Sequence, residues 1–241
     1  MTIAIIIPML NEAPQLARLA RCLAALHPQP AEILVIDGGS TDDSAQLARN
    51  LGLKVITTAA GRARQCNAGV AATTSPYVMV LHADTWLPED AMNVITTTFT
   101  NPEINLAGFT AILAGPEKTR WVTSFHNWIK PYYAPALFRP HLFLRGGRLL
   151  FGDHAMFFRR QDFESIHGFD ESMMVMEEAD LCVRMAMLGR TRLINRIVIT
   201  SDRRIAKWGE WKANWIYLKV GFRWGLNLKP KSLGHLYPDV R

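Results

Sequence analysis

The residues best placed for chemistry stand at 82–85, where the apolar run Val78 to Leu81 breaks into His82, Ala83, Asp84 and Thr85 before Pro88. Such a run suits a buried parallel strand, and in an open α/β sheet ligands gather at the carboxyl ends of the strands. Imidazole and carboxylate are ordinary ligands of divalent cations, and alternation along an extended segment puts His82 and Asp84 on one side. A held cation is one reading, and a helix-capping Asp beside an incidental His is the other. A second group, Glu177, Glu178 and Asp180, falls in the first turn of a helix expected over 177–188. Acids there suit the positive end of the helix dipole, so a structural role competes with an acid–base one. Asp180 and Arg184, four apart, are expected to pair on the surface, with Leu181, Met185 and Leu188 as the buried stripe.

The elements that position these groups follow from apolar periodicity. Ile3 to Ile7 is a β-branched run expected to form a central strand, with Pro8 just beyond it. Asn11 is placed to cap a helix with Pro14 in its first turn and Leu16, Leu19, Cys22, Leu23 and Leu26 at helical spacing. Ile33 to Ile36 and Lys54 to Thr57 read as further strands, with Asp37 to Asp42 as the turn into a helix over roughly Asp43 to Leu51. Gly61 to Gly69 reads as a loop entering a helix that Thr73 to Pro76 ends. Up to about residue 100 the order is β-α-β-α-β-α-β-α, a nucleotide-binding type of half with a parallel sheet. Neither GxGxxG nor GxxxxGK[ST] occurs, which argues against nicotinamide and P-loop enzymes. Farther on, 107–113 and 192–200 read as strands, and Phe151 to Arg160 as a polar turn followed by one. Trp121, Phe125 and Trp128 recur at helical spacing and read as packing. Leu137 to Arg148, with Pro140, Gly146, Gly147 and three arginines, reads as a mobile loop.

Composition bounds the class. The chain has 241 residues, 49% of them apolar and 20% charged, which describes a folded protein. No run of about 18 apolar residues could span a membrane. The apolar opening lacks a basic region and is cut by Pro8, so no signal peptide is expected and a cytoplasmic location is. Three widely spaced cysteines read as reduced thiols. Net charge is +6, and from Arg196 onward ten Lys/Arg face three Asp/Glu, against 17 and 18 before it. That basic segment, rich in Trp, Tyr and Phe, fits either a helix covering the core or a peripheral contact with the inner membrane face. Trp208, Trp211 and Trp215 would share a helical face. Nucleic acid is the least favoured partner, since no recognition motif accompanies the charge.

Taken in order, IIIPMLNE, VIDGGSTD, GRARQCNAG, the HAD at 82–84, GDHAMFFRR and EEADLCVRM resemble the inverting family 2 glycosyltransferases of the GT-A fold over nearly the whole chain. The GDHAMFFRR and RRIAKWG stretches are similar to a bacterial subgroup labelled arsenosugar-biosynthesis glycosyltransferases. The resemblance implies an α/β, Rossmann-like, mostly parallel central sheet flanked by helices, with a C-terminal helical segment. It implies one domain over 1–241: a nucleotide-binding half to 100, an acceptor half over 101–200, and the basic aromatic segment from 201. It implies a UDP- or GDP-sugar donor and an acceptor hydroxyl that the motifs do not specify. Pro8, Asn11 and Glu12 would line the nucleoside pocket, Asp37 would contact base or ribose, and Arg62 and Asn67 would flank base and diphosphate. Ala83 and Asp84 would face the donor, with Arg203 and Arg204 on the leaving diphosphate. Glu178 would be the catalytic base, and Gly152, Asp153 and Glu177 would bind the acceptor. A divalent cation, Mn2+ or Mg2+, would sit on Asp84 with His82, where the family has a first Asp; that exchange favours manganese. Glu178 likewise stands where the family has Asp. The family's processive Gln-x-x-Arg-Trp element is absent, which implies single-sugar transfer. A nucleotide-sugar binding protein of weak catalysis, and a membrane-surface enzyme with a lipid-linked acceptor, are the alternatives.

Overall fold

The computed structural model describes residues 1–226, so the end of the basic C-terminal segment, 227–241, lies outside the described residues. The chain opens with β1 (Ile3–Met9), α1 (Ala13–Ala24), β2 (Glu32–Asp37), α2 (Ser44–Asn50), β3 (Lys54–Thr57), α3 (Arg62–Ala71) and β4 (Tyr77–Val80). It continues through β5 (Thr85–Trp86), α4 (Ala91–Thr98), β6 (Ile104–Ala114), α5 (Trp121–Phe138) and α6 (Pro140–Leu144). A single turn at Gly152–His154 then leads to β7 (Phe157–Arg159), α7 (Arg160–Ser165), α8 (Glu177–Leu188), β8 (Arg190–Ser201), α9 (Arg203–Trp208) and α10 (Glu210–Gly225). The strands of the described residues form one eight-stranded sheet in the order β3-β2-β1-β4-β7-β6-β8-β5. It is mostly parallel, with β7 and β5 running against their neighbours.

β1 is buried on both faces, which is why its sequence is an unbroken apolar run rather than an alternating one. Ile5 and Ile7 pack with Leu16, Leu19 and Leu23 of α1. Ile6 points the other way, into a cluster with Cys66 and Val70 of α3 and Leu181 and Met185 of α8. A Cβ on Gly69 would lie 2.2 Å from Ile6 Cγ2, so glycine there lets α3 approach the sheet. The three cysteines are free thiols, and among the described residues no helix is long and apolar enough to cross a membrane.

Several expectations are corrected. Pro8 lies inside β1, paired with Ile36 on the β2 side, while the β4 ladder ends at Ile6 and Val80, so its missing N–H forfeits no bond. Asn11 does not cap α1: at φ 54° its side-chain oxygen accepts from Thr41 N at 2.8 Å and its own N–H donates to Ser40 Oγ. The polar 61–69 stretch is helical from Arg62, because Gly61 at φ 138° alone makes the turn. His82 and Asp84 lie in a turn closed by Thr85 N donating to His82 O, not in an extended segment. The 137–148 stretch contains α6. Leu188 is exposed, as are Trp121, Phe125 and Trp128. Gly209 at φ 84° separates α9 from α10, so Trp208 packs towards Ile205 and Leu113 while Trp211 and Trp215 face outward.

Candidate active site

A cavity of about 200 Å3 opens over the carboxyl ends of the central strands. β1 delivers Pro8 and, just past its end, Glu12; β4 runs into His82, Ala83 and Asp84; β6 and β8 supply Leu113, Thr200 and Ser201. Helix starts complete it with Arg62 from α3, Glu178 from α8, and Arg203 and Arg204 from α9. This is where an open α/β sheet collects ligands, because the strands stop there and the loops diverge.

Ion pairs tie the walls together. Arg203 Nη2 reaches Glu12 Oε1 at 2.8 Å and Asp84 Oδ2 at 3.0 Å, joining the start of α9 to the loops after β1 and β4 across the cavity. Arg62 Nη1 lies 3.3 Å from Glu177 Oε1 and 3.2 Å from Glu178 Oε1. Both glutamates are buried, although they open α8 at a surface-type position. Burial, together with the neighbouring Glu178, pushes the Glu177 carboxyl up to about 7 against the pull of Arg62. Burial, then Arg62 and Arg204, holds the His82 imidazole well below its ordinary value, so it is neutral. Burial also raises Asp153, helped by Asp84 and Glu178 and opposed by Lys130 and Arg204. Gly152 is a matter of space: a Cβ there would lie 2.1 Å from His82 Cε1 and 2.8 Å from Glu178 Oε1. The imidazole and the carboxylate close over that glycine.

Of the residues named from sequence, Pro8, Glu12, Arg62, His82, Ala83, Asp84, Gly152, Asp153, Glu178, Arg203 and Arg204 all line this cavity. Glu177 lies one layer behind, in a small void shared with Arg62 and Glu178. Three others lie outside the cavity wall. Asp37, at the end of β2, accepts from the Gly39 and Ser40 amides and the Ser40 hydroxyl. Asn11 holds the same loop, and Asn67 clasps Phe169 through both its carbonyl and its amide.

Sequence reasoning missed the wall supplied by α5: Thr123, His126, Asn127 and Lys130. Lys130 Nζ lies 3.5 Å from the centre of the Phe151 ring. Burial pushes its ammonium down to about 8, against the pull of Asp153 and Glu178. Asn127 is buried, and its Nδ2 has no hydrogen-bond partner among the described residues. Four polar residues at i, i+3, i+4 and i+7 were the available signal.

The donor set fits a divalent cation in part. Asp84 offers a carboxylate, one oxygen of which Arg203 occupies, and His82 offers a neutral imidazole whose Nε2 is buried and unpartnered. Among the described residues no three His, Cys, Asp or Glu gather at metal spacing, so further donors would have to come from substrate.

Residues 4–166 match the profile of Glycosyl transferase family 2. The chain belongs to that family. Among curated relatives, the succinoglycan biosynthesis protein ExoU of Rhizobium meliloti is 39% identical over 89 residues, 34% of this chain and 26% of that protein. A TPR repeat-containing protein of Synechococcus elongatus is 33% identical over 87 residues, 35% of this chain and 22% of its own length. The matched stretches thus span about a quarter of these curated relatives. Solved glycosyltransferases share the fold at low identity. The mannosyltransferase PcManGT of Pyrobaculum calidifontis, in complex with GDP-Man and Mn2+, superposes with TM-score 0.68 at 18% identity, covering 98% of this chain and 68% of that one. Glucosyl-3-phosphoglycerate synthase of Mycobacterium tuberculosis, solved with Mn2+, UDP and glucosyl-3-phosphoglycerate, gives 0.62 at 17%, covering 95% and 81%. TarS of S. aureus, in complex with UDP, gives 0.63 at 12%, covering 88% and 64%. The α/β sheet and its helices are therefore a GT-A fold.

Proposed function

We propose that this family 2 glycosyltransferase domain, spanning 1–241, moves one sugar from a UDP- or GDP-sugar to an acceptor hydroxyl with inversion. The observation that carries the reading is Glu178: a buried carboxylate at a cavity wall, within reach of a ligand and held by Arg62. Glu178 takes the proton of the acceptor hydroxyl. The acceptor oxygen forms a bond to the anomeric carbon from one face, and the bond to the diphosphate breaks on the other. The leaving electron pair departs with the nucleoside diphosphate, whose growing charge Arg203 and Arg204 offset. Lys130 and Asp153 stand beside Glu178 and hold the acceptor. A divalent cation on Asp84, with His82, would neutralise the diphosphate. The solved relatives with Mn2+ support that role. Membership of the arsenosugar-biosynthesis subgroup rests on its two motifs and belongs to this proposal, as does a cytoplasmic location.

The test is Glu178→Gln, assayed against a panel of UDP- and GDP-sugars with manganese. Turnover should fall by roughly 100- to 10,000-fold with donor affinity intact. Wild-type rates in the variant would remove Glu178 as the base. Binding without turnover across the panel by the wild-type chain would favour a nucleotide-sugar binding protein, the reading that the exchanged residues at 82 and 178 support. A lipid-linked acceptor is favoured by the outward aromatic side chains on the helices that wall the cavity.

A further inference from the structure

α5 and α10 wall the cavity with their inner sides, yet their outer sides are aromatic and open to solvent. The two helices run side by side in the same direction. Thr123 and His126 of α5 meet Glu210 and Asn214 of α10 through side-chain hydrogen bonds. Farther along, Phe138 meets Phe222 edge to face at 5.7 Å. At 3.6 residues per turn, Trp121, Phe125 and Trp128 stand opposite the cavity residues of α5, Thr123, His126, Asn127 and Lys130, and Trp211, Trp215 and Phe222 stand opposite those of α10, Tyr217, Val220 and Gly221, so both aromatic stripes turn away from the cavity. All six are exposed, Trp121 by 69%, Trp215 by 68% and Trp211 by 84%. α5 carries no acid, and Glu210, the acid on α10, accepts from Thr123. Lys212 and Lys219 follow Trp211 and Leu218 by one position, are exposed, and border the aromatic strip.

We propose that this two-helix face docks on an anionic phospholipid surface. Its aromatic rings lie at headgroup depth, with Lys212 and Lys219 against the lipid phosphates. The chemistry selects the occupant. Tryptophan and phenylalanine bordered by lysine match the interfacial zone of a bilayer. The core of a protein–protein interface is instead depleted in lysine. Among the described residues no helix is long and apolar enough to cross a bilayer. Docking on this face puts the cavity about 10 Å, one helix width, beneath the headgroups.

Flotation of the full chain tests this. Vesicles of phosphatidylcholine alone are compared with vesicles carrying about 30% phosphatidylglycerol, at low and high salt. The wild-type chain should float with the anionic vesicles and lose binding in salt. Combined Trp121→Ala, Trp128→Ala, Trp211→Ala and Trp215→Ala should abolish flotation. Lys212→Glu with Lys219→Glu should weaken it by at least about fivefold per lysine. This lysine pair, on the exposed side of α10, carries the test if the tryptophan variant proves unstable. Wild-type flotation by the lysine pair, or by a folded tryptophan variant, would overturn the proposal. So would a wild-type chain that ignores anionic vesicles, and a dimer lost in the tryptophan variant would then assign the face to a second copy. The transferase reading is not at stake in this experiment, because flotation needs no donor, acceptor or turnover.

Discussion

At the scale of single residues, the two glutamates that open α8 show how one helix start can serve two purposes. The sequence placed three acids there, where the helix dipole alone would explain them. Their burial and the shared Arg62 Nη1 distinguish Glu177 and Glu178 from Asp180, which pairs with Arg184 on the surface as its spacing implied. Burial is what the sequence could not show, because a helix start reads the same in water and under a cavity. Glu177 also reports on pH. Its carboxyl is raised to about 7 in the folded chain, above the ordinary 4.5. Between those values the folded state holds the proton that the unfolded state has lost, so stability from this group falls as pH rises through that window. Glu177→Gln fixes the neutral form. The variant should therefore melt higher than wild type near pH 8 and converge with it near pH 4.5, as read by calorimetry across the range. A difference that grew towards acid would mean that Glu177 is ionised when folded.

At the scale of elements, α5 is inverted relative to an ordinary surface helix. Its apolar stripe, Trp121, Phe125 and Trp128, faces solvent, and its polar stripe, Thr123, His126, Asn127 and Lys130, faces the cavity. Periodicity reveals that two stripes exist without revealing which is inside, so from sequence the aromatics read as packing and the polar wall goes unseen. The 61–69 stretch reads as a loop for a related reason: its polar residues serve the site and its neighbours, so α3 starts without an apolar stripe to mark it. Lys130 is the clearest test of the inverted helix. Its ammonium is pushed down to about 8, so the charged form is lost as pH rises through that value. If the ammonium holds the acceptor, acceptor kcat/KM should fall above about pH 8 in the wild-type chain. Lys130→Met should lower it roughly tenfold to 100-fold at neutral pH and erase that limb, with donor affinity unchanged. A variant that keeps the limb would assign the titration elsewhere.

At the scale of the molecule, the strands up to β4 were legible because each βαβ unit carries its own apolar run and turn, and connects to its neighbour by local rules. The later strands were located as segments, but their neighbours were not. β7 enters antiparallel between β4 and β6, and β8 lies parallel along β6 through a bulge, pairings that no local pattern encodes. The same long-range closure builds the site, since Arg203 reaches back to Glu12 and Asp84 across 191 and 119 residues of sequence. A nucleotide sugar bound there would contact the ends of β1 and β4 and the start of α9 at once, and so would stabilise the fold as a whole. At a hundred times its dissociation constant, a true donor adds about 2.7 kcal/mol. For a chain of this length that is a rise of roughly 5–10 °C in Tm. Manganese should enlarge the rise. Asp84→Ala should remove the manganese increment, and His82→Ala should shrink it, because a neutral imidazole with an unpartnered Nε2 faces the same cavity. An increment that survives His82→Ala unchanged would leave Asp84 as the ion's protein ligand and His82 as its neighbour.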